Sequence, residues 1–162
     1  MKMNFTFTGA KKIVFGSGSF DALVDYIKEL KGSRPLIVLD QNLAGAGFQE
    51  RIENLLTKGG MKYVIYGKII PEPPLELVDE GAKAAIKGKC DCVVGIGGGS
   101  AMDTAKAISA VAGNKGKAVE YLGLNNIPGP GLPQIQVPTT AGTGSEVTFT
   151  AVFVRKDLKK KE

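Results

Sequence analysis

The 162-residue chain contains no histidine. That absence removes a Ser-His-Asp triad, a histidine general base and every histidine-bearing metal site that this chain could build alone. Tryptophan is missing too, and no aromatic-basic interleaving or named nucleic-acid motif accompanies the net charge of +5. The lysines are scattered apart from a cluster at Lys156, Lys159, Lys160 and Lys161, so the charge reads as a solvated surface with no nucleic-acid partner. The two cysteines, Cys90 and Cys92, are separated by one residue. That spacing matches neither a C-x-x-C redox pair nor a zinc knuckle, and two reduced structural thiols are expected. No apolar run approaches the roughly 18 residues of a membrane span, and the Met-Lys-Met-Asn start lacks the apolar segment of a signal peptide. No membrane partner is expected, and the expected location is cytoplasmic.

What remains is an ordinary globular composition, 43% apolar and 23% charged. A chain of this length forms one domain, spanning 1–162, that buries roughly 70% of its unfolded surface. Short β-runs at Asn4–Phe7 and Lys11–Phe15 suggest an N-terminal hairpin, through which a homodimer could pair. A helix capped by Ser19 or Asp21 is expected to run to Leu30, with Leu23, Val24, Ile27 and Leu30 at helical spacing. The apolar run Leu36–Leu39 reads as a strand stopping at Asp40, and Phe48, Ile52, Leu55 and Leu56 mark a second helix. A strand over Lys62–Tyr66, a stiff loop around Pro71, Pro73 and Pro74, and a helix from Leu75 to Ile86 follow. Further on, Gln134–Val137 and Thr148–Val154 read as strands. Such alternation implies an α/β fold, a Rossmann-like, mostly parallel sheet with helices on both faces.

The centre of this pattern is the stretch CVVGIGGGSAMDTAK, Cys92 to Lys106. A buried strand runs into Gly97, Gly98 and Gly99, which remove side chains where the backbone turns. Ser100 is expected as the N-cap and Asp103 as the acidic partner of a capping box, with the helix ending at Gly113-Asn114. The start of such a helix offers free N–H groups and the positive end of its dipole to an anion. As a bare motif the turn is weak, because it satisfies neither G-x-G-x-x-G nor the P-loop pattern. A second small-residue turn, Pro138 to Ser145, supplies the hydroxyls of Thr139, Thr140, Thr143 and Ser145. Its alternatives are contacts to ribose and phosphate, or an ST-turn network serving its own backbone. Asp40, the 97–100 turn and the 138–145 turn all fall at predicted strand carboxyl ends and so belong along one edge, where such sheets bind ligands.

Taken together, GGGSAMDTAK at 97–106 and PTTAGTGSEVT at 138–148 resemble the iron-containing, or group III, alcohol dehydrogenases. The likeness extends to IVFGSG at 13–18, Asp40 and the proline loop, where Glu72 stands in place of the family's usual Asn. The resemblance implies an N-terminal domain binding NAD or NADP, followed by an all-helical domain whose Asp and three His hold Fe²⁺. It implies that Gly97, Gly98, Gly99 and Ser100 hold the pyrophosphate and that Asp103 lies near the cofactor. Thr139, Thr140 and Thr143 would contact phosphate, ribose or adenine, and Asp40 would favour NAD through the 2′-hydroxyl. One of Lys159–Lys161 would match a lysine near the adenosine ribose. With no histidine present, the expectation is the coenzyme domain alone, without catalytic or metal residues, binding cofactor without turnover. A standalone nucleotide-binding or interaction module is the alternative, and the dehydroquinate-synthase-like lyases, which share the glycine turn but not PTTAGTGSEVT, are a more distant one.

Overall fold

A computed structural model describes residues 9–114 and 116–154, and the backbone of 155 and 160–161. After a 3-10 turn at Ser19–Ala22, the elements are α1 (Leu23–Glu29), β1 (Pro35–Asp40), α2 (Gln41–Gly45), α3 (Phe48–Lys58) and β2 (Val64–Ile69). They continue with α4 (Glu76–Lys87), β3 (Cys92–Gly97), α5 (Gly99–Gly113), β4 (Gln134–Pro138), β5 (Val154–Arg155) and β6 (Lys160–Lys161). The first four strands form one parallel sheet in the order β2-β1-β3-β4, and β5 pairs antiparallel with β6.

The centre of the sheet is buried on both faces because β1 and β3 carry apolar residues at every position other than glycine and the terminal Asp40. Strand alternation sends Leu36, Val38 and Val93 to one side, where α4 and α5 pack with Val78, Ala82, Ala101, Ala105 and Ile108. Ile37, Leu39, Val94 and Ile96 face the other side, against Leu23 and Ile27 of α1 and Ile52 and Leu56 of α3. Gly95 lies on the α5 side, where a Cβ would come within 2.6 Å of Ala105 Cβ and 3.3 Å of Met102 Cα. Only glycine lets α5 lie this close to β3.

The two crossovers flanking β1 and β3 leave in opposite directions. From β1 the chain crosses by α3 to β2, and from β3 it crosses by α5, on the other face, to β4. Right-handed connections require that change of face when the direction reverses. The strand order therefore switches between β1 and β3, and a crevice opens at their carboxyl ends.

Two expected strands do not form as read. Residues 9–15 join no strand among the described residues; Phe15 is 99% exposed and Ile13 is 69% exposed. Lys12 instead pairs with Glu29 and lies over the Tyr26 ring. The other arm of the expected hairpin, at 4–7, lies outside the described residues. Over Thr148–Val154 only Val154 joins a ladder, while the backbone groups Thr150 O and Val152 N bond to α5 instead.

The thiols lie on opposite faces: Cys92 is buried with the α1/α3 side, and Cys90, which precedes β3, packs partly buried against the other. Burial, then the neighbouring Asp91 carboxylate, pushes Cys92 up to about 12 and Cys90 up to about 11. Both stay as thiols at neutral pH, and the thiolate is the nucleophile. Iodoacetamide at pH 8 is therefore expected to label the native chain far more slowly than the chain in denaturant. Equal rates by mass spectrometry would contradict this burial. Asp91 itself loses stability to burial, but hydrogen bonds from Ser33 and Arg34 outweigh that and hold its carboxyl below its usual range. Its contribution is thus present above the unfolded carboxyl pKa and fades as pH falls through the lower folded value.

Candidate functional site

The crevice at the switch point is a cleft of about 360 Å³. Its floor is the first turn of α5, with Gly98, Gly99 and Ser100, and one wall is Thr139 and Thr140 at the end of β4. Asp40 at the end of β1, Asn42 and Leu43 after it, and Pro71 after β2 form the other wall. The register brings these segments together: Leu39 is opposite Ile96, and Gly97 is opposite Pro138.

Gly97 ends β3 with φ 148°, and a Cβ there would stand 2.7 Å from Ala101 Cβ and 3.2 Å from Asp40 Cβ. It lies beneath the cleft and lets the chain turn. Gly98 has extended backbone (φ −79°, ψ −172°) and is the N-cap of α5, with no side chain capping the helix. A Cβ on Gly98 would face Thr140 Oγ1 at 3.3 Å, and one on Gly99 would face Thr143 Cβ at 3.6 Å. The glycines thus keep open the gap between the helix start and the threonines. The first N–H groups of a helix have no intrahelical acceptor, and here they face a cleft lined by hydroxyls. A pyrophosphate fits that donor set: backbone amides, Ser100 and two threonines, with the dipole adding positive potential.

Asp40 ends β1 and accepts a hydrogen bond from Asn42 N at 2.8 Å, so it caps α2. Its other carboxylate oxygen has no hydrogen bond among the described residues. A side chain held this way presents a fixed negative charge on the cleft wall.

The structure corrects two local readings. Ser100 is not the N-cap of α5, because the helix already begins at Gly99; its carbonyl instead accepts from Thr104 Oγ1 at 2.7 Å. Asp103 forms no capping box, since stronger donors claim its carboxylate: the Lys106 ammonium at 3.0 Å, the Ser145 hydroxyl and Val152 N at 3.1 Å. It stands beside the cleft rather than in its lining.

Of the nine residues expected to bind cofactor, Asp40, Gly98, Gly99, Ser100, Thr139 and Thr140 line the cleft. Gly97 supports it, Thr143 stands opposite Gly99, and Asp103 is turned into the network just described. The expected lysine contact at 159–161 falls outside the residues whose side chains are described. Sequence reasoning missed Asn42, Leu43 and Pro71 as lining; their place just after strand ends was the available signal. It also gave no role to Lys106, a lysine with only 7% exposure. Among the described residues no group of three or more His, Cys, Asp or Glu could hold a metal, and no helix is long and apolar enough to cross a membrane.

Comparison with known proteins agrees with this geometry. A family model described as iron-containing alcohol dehydrogenase matches residues 10–162. Sulfoacetaldehyde reductase of Bilophila wadsworthia (strain 3_1_6) is 41% identical over 151 residues, covering 93% of this chain and 39% of that protein. The crystal structure of a 1,3-propanediol oxidoreductase superposes with a TM-score of 0.91 at 29% identity, covering 98% of this chain and 42% of the other. That of a sulfoacetaldehyde reductase from Bifidobacterium kashiwanohense in complex with NAD⁺ gives 0.87 at 30% identity, covering 99% and 42%. The chain therefore spans about two-fifths of the length of these relatives.

Proposed function

Because this chain belongs to the iron-containing alcohol dehydrogenase family, we propose that its cleft holds the dinucleotide of an NAD-linked oxidation of an alcohol to an aldehyde or ketone. The observation that carries this reading is the meeting of a fixed carboxylate, an uncapped helix start and a pair of threonines at the topological switch point. The NAD⁺ complex of a similar enzyme supports it. In this assignment Gly98, Gly99 and Ser100 bind the pyrophosphate over the start of α5, while Gly97 shapes the turn. Thr139, Thr140 and Thr143 close the opposite side, and Asp40 receives the adenosine ribose. When bound, the nicotinamide accepts or returns hydride; these residues orient it and hold its phosphates. The iron in the family's name finds no donor set among the described residues, and no catalytic side chain is assigned to this chain. By itself it binds cofactor without turnover. NADH formation from primary alcohols by the purified 162-residue chain with Fe²⁺ added would overturn that statement.

Preference for NAD over NADP follows from Asp40. The cap bond fixes the carboxylate, which accepts from a ribose 2′-hydroxyl and repels a 2′-phosphate. We expect NAD⁺ to bind at least about tenfold tighter than NADP⁺, a difference of about 1.4 kcal/mol. Asp40→Gly should erase the difference while costing the fold only a few tenths of a kcal/mol, because glycine is a tolerated N-cap. Equal affinities of the unsubstituted chain in a calorimetric titration would remove the argument.

A further inference from the structure

The ion pair one turn into α5 ties the floor of the cleft to the chain that follows its threonine wall. The side chains of Lys106 and Asp103 are only 6% and 16% exposed. An ammonium has three donors, and Lys106 spends them on Asp103 Oδ1 at 3.0 Å, Thr148 Oγ1 at 3.1 Å and Thr150 O at 2.7 Å. The carboxylate takes the Ser145 hydroxyl on Oδ1 and Val152 N on Oδ2 at 3.1 Å. Four anchors thus fall on a stretch, 145–152, that forms no helix or strand and is largely exposed apart from Ser145. Ser145 N in turn donates to Thr143 Oγ1 at 3.3 Å, so the anchoring reaches the hydroxyl turn within two residues. The helix that supplies the amides of the floor also fixes the chain that continues the threonine wall.

Resting on the cofactor reading above, we infer that Asp103 and Lys106 are positioning residues. They set Thr143, at the far end of the hydroxyl turn that the β3–β4 ladder starts at Thr139, at its distance from Gly99, and do not touch the dinucleotide. Both carboxylate oxygens of Asp103 already accept from this chain. Burying two charges costs about as much as their attraction returns, so the pair contributes little net stability. What it contributes is one geometry for a segment that no ladder holds.

Three forms of the chain test this: unsubstituted, Asp103→Asn, and the paired apolar replacement Asp103→Leu with Lys106→Met. Amide exchange by NMR, thermal melting and NAD⁺ titration are read on each. The inference expects faster exchange at Ser145 and Val152 in both variants, with Val93–Ile96 unchanged. It also expects the double variant to melt within a few degrees of the unsubstituted chain while binding NAD⁺ at least about tenfold more weakly. A double variant that recovers both stability and affinity makes the pair merely structural and overturns the inference. So does unchanged exchange at Ser145 and Val152. Failure of the unsubstituted chain to bind NAD⁺ refutes the cofactor reading instead, and the exchange rates then decide on the anchoring alone.

Discussion

Gly98→Val is expected to leave the fold standing and to weaken NAD⁺ binding about a hundredfold. The backbone at Gly98 is extended, a conformation open to any residue, and a Cβ there would meet only the Thr140 side chain, at 3.3 and 3.8 Å. The chain can therefore accommodate valine at a cost of about 1 kcal/mol or less. The branched carbons, however, occupy the gap where a phosphate would approach the first turn of α5. Hydrogen bonds to a charged group are worth about 1.5–3 kcal/mol each; losing two removes about 3 kcal/mol or more, or roughly a hundredfold in affinity. Gly97→Val makes the contrast, since φ 148° and the 2.7 Å approach to Ala101 turn the same change into a folding defect. Titration calorimetry paired with melting separates the two. A Gly98→Val chain that binds NAD⁺ like the parent would move the pyrophosphate away from this turn.

The largest effect on stability is expected from Ile108→Ala. Ile108 is fully buried and reaches from α5 into the space above Gly81 on α4, where a glycine Cβ would lie 2.2 Å from its Cδ1. The cost of removing a large core side chain depends on how far the surroundings can collapse. Gly81 has no side chain to move into the void, so the loss should lie near the top of the usual range, about 4–5 kcal/mol. For a chain of this size that lowers Tm by roughly 10–20 °C. Gly81→Ala alone should also destabilise, because its methyl collides with Ile108. Combined with Ile108→Ala it should be stabilising, since the methyl then fills part of the cavity. Strictly additive effects in that double-mutant cycle would show that the two helices do not meet through this pair.

How the sequence succeeded and failed follows from which interactions were local. The strand over Val93–Ile96, the turn at 97–99 and the helix ending at Gly113 were legible because apolar runs, glycines and helical spacing act over a few residues. The edge position of Asp40 and the two small-residue turns followed from strand ends in an alternating pattern, and the register brings them to one cleft. The capping role assigned to Asp103 failed for the opposite reason. A capping box is a local rule, and here an ammonium three residues on and two groups more than forty residues away outcompete the backbone amide it would have bonded. The β-like reading of Thr148–Val154 held only for Val154, since the same ion pair takes the backbone groups of Thr150 and Val152 that a ladder would need.

The sequence alone thus determined the α/β alternation, the two buried faces of the central strands and the membership of the glycine and threonine turns in one edge. Periodicity and chain-local turn chemistry are enough for that. Only the tertiary structure decided the strand order that opens the crevice between β1 and β3, the approach of Thr140 to Gly98, and the pairing of Asp103, expected in a capping box, with Lys106, expected to have no role, as a buried anchor. Those depend on packing between residues distant in the chain, where the free energy of a contact is set by which partner arrives and not by spacing along the sequence.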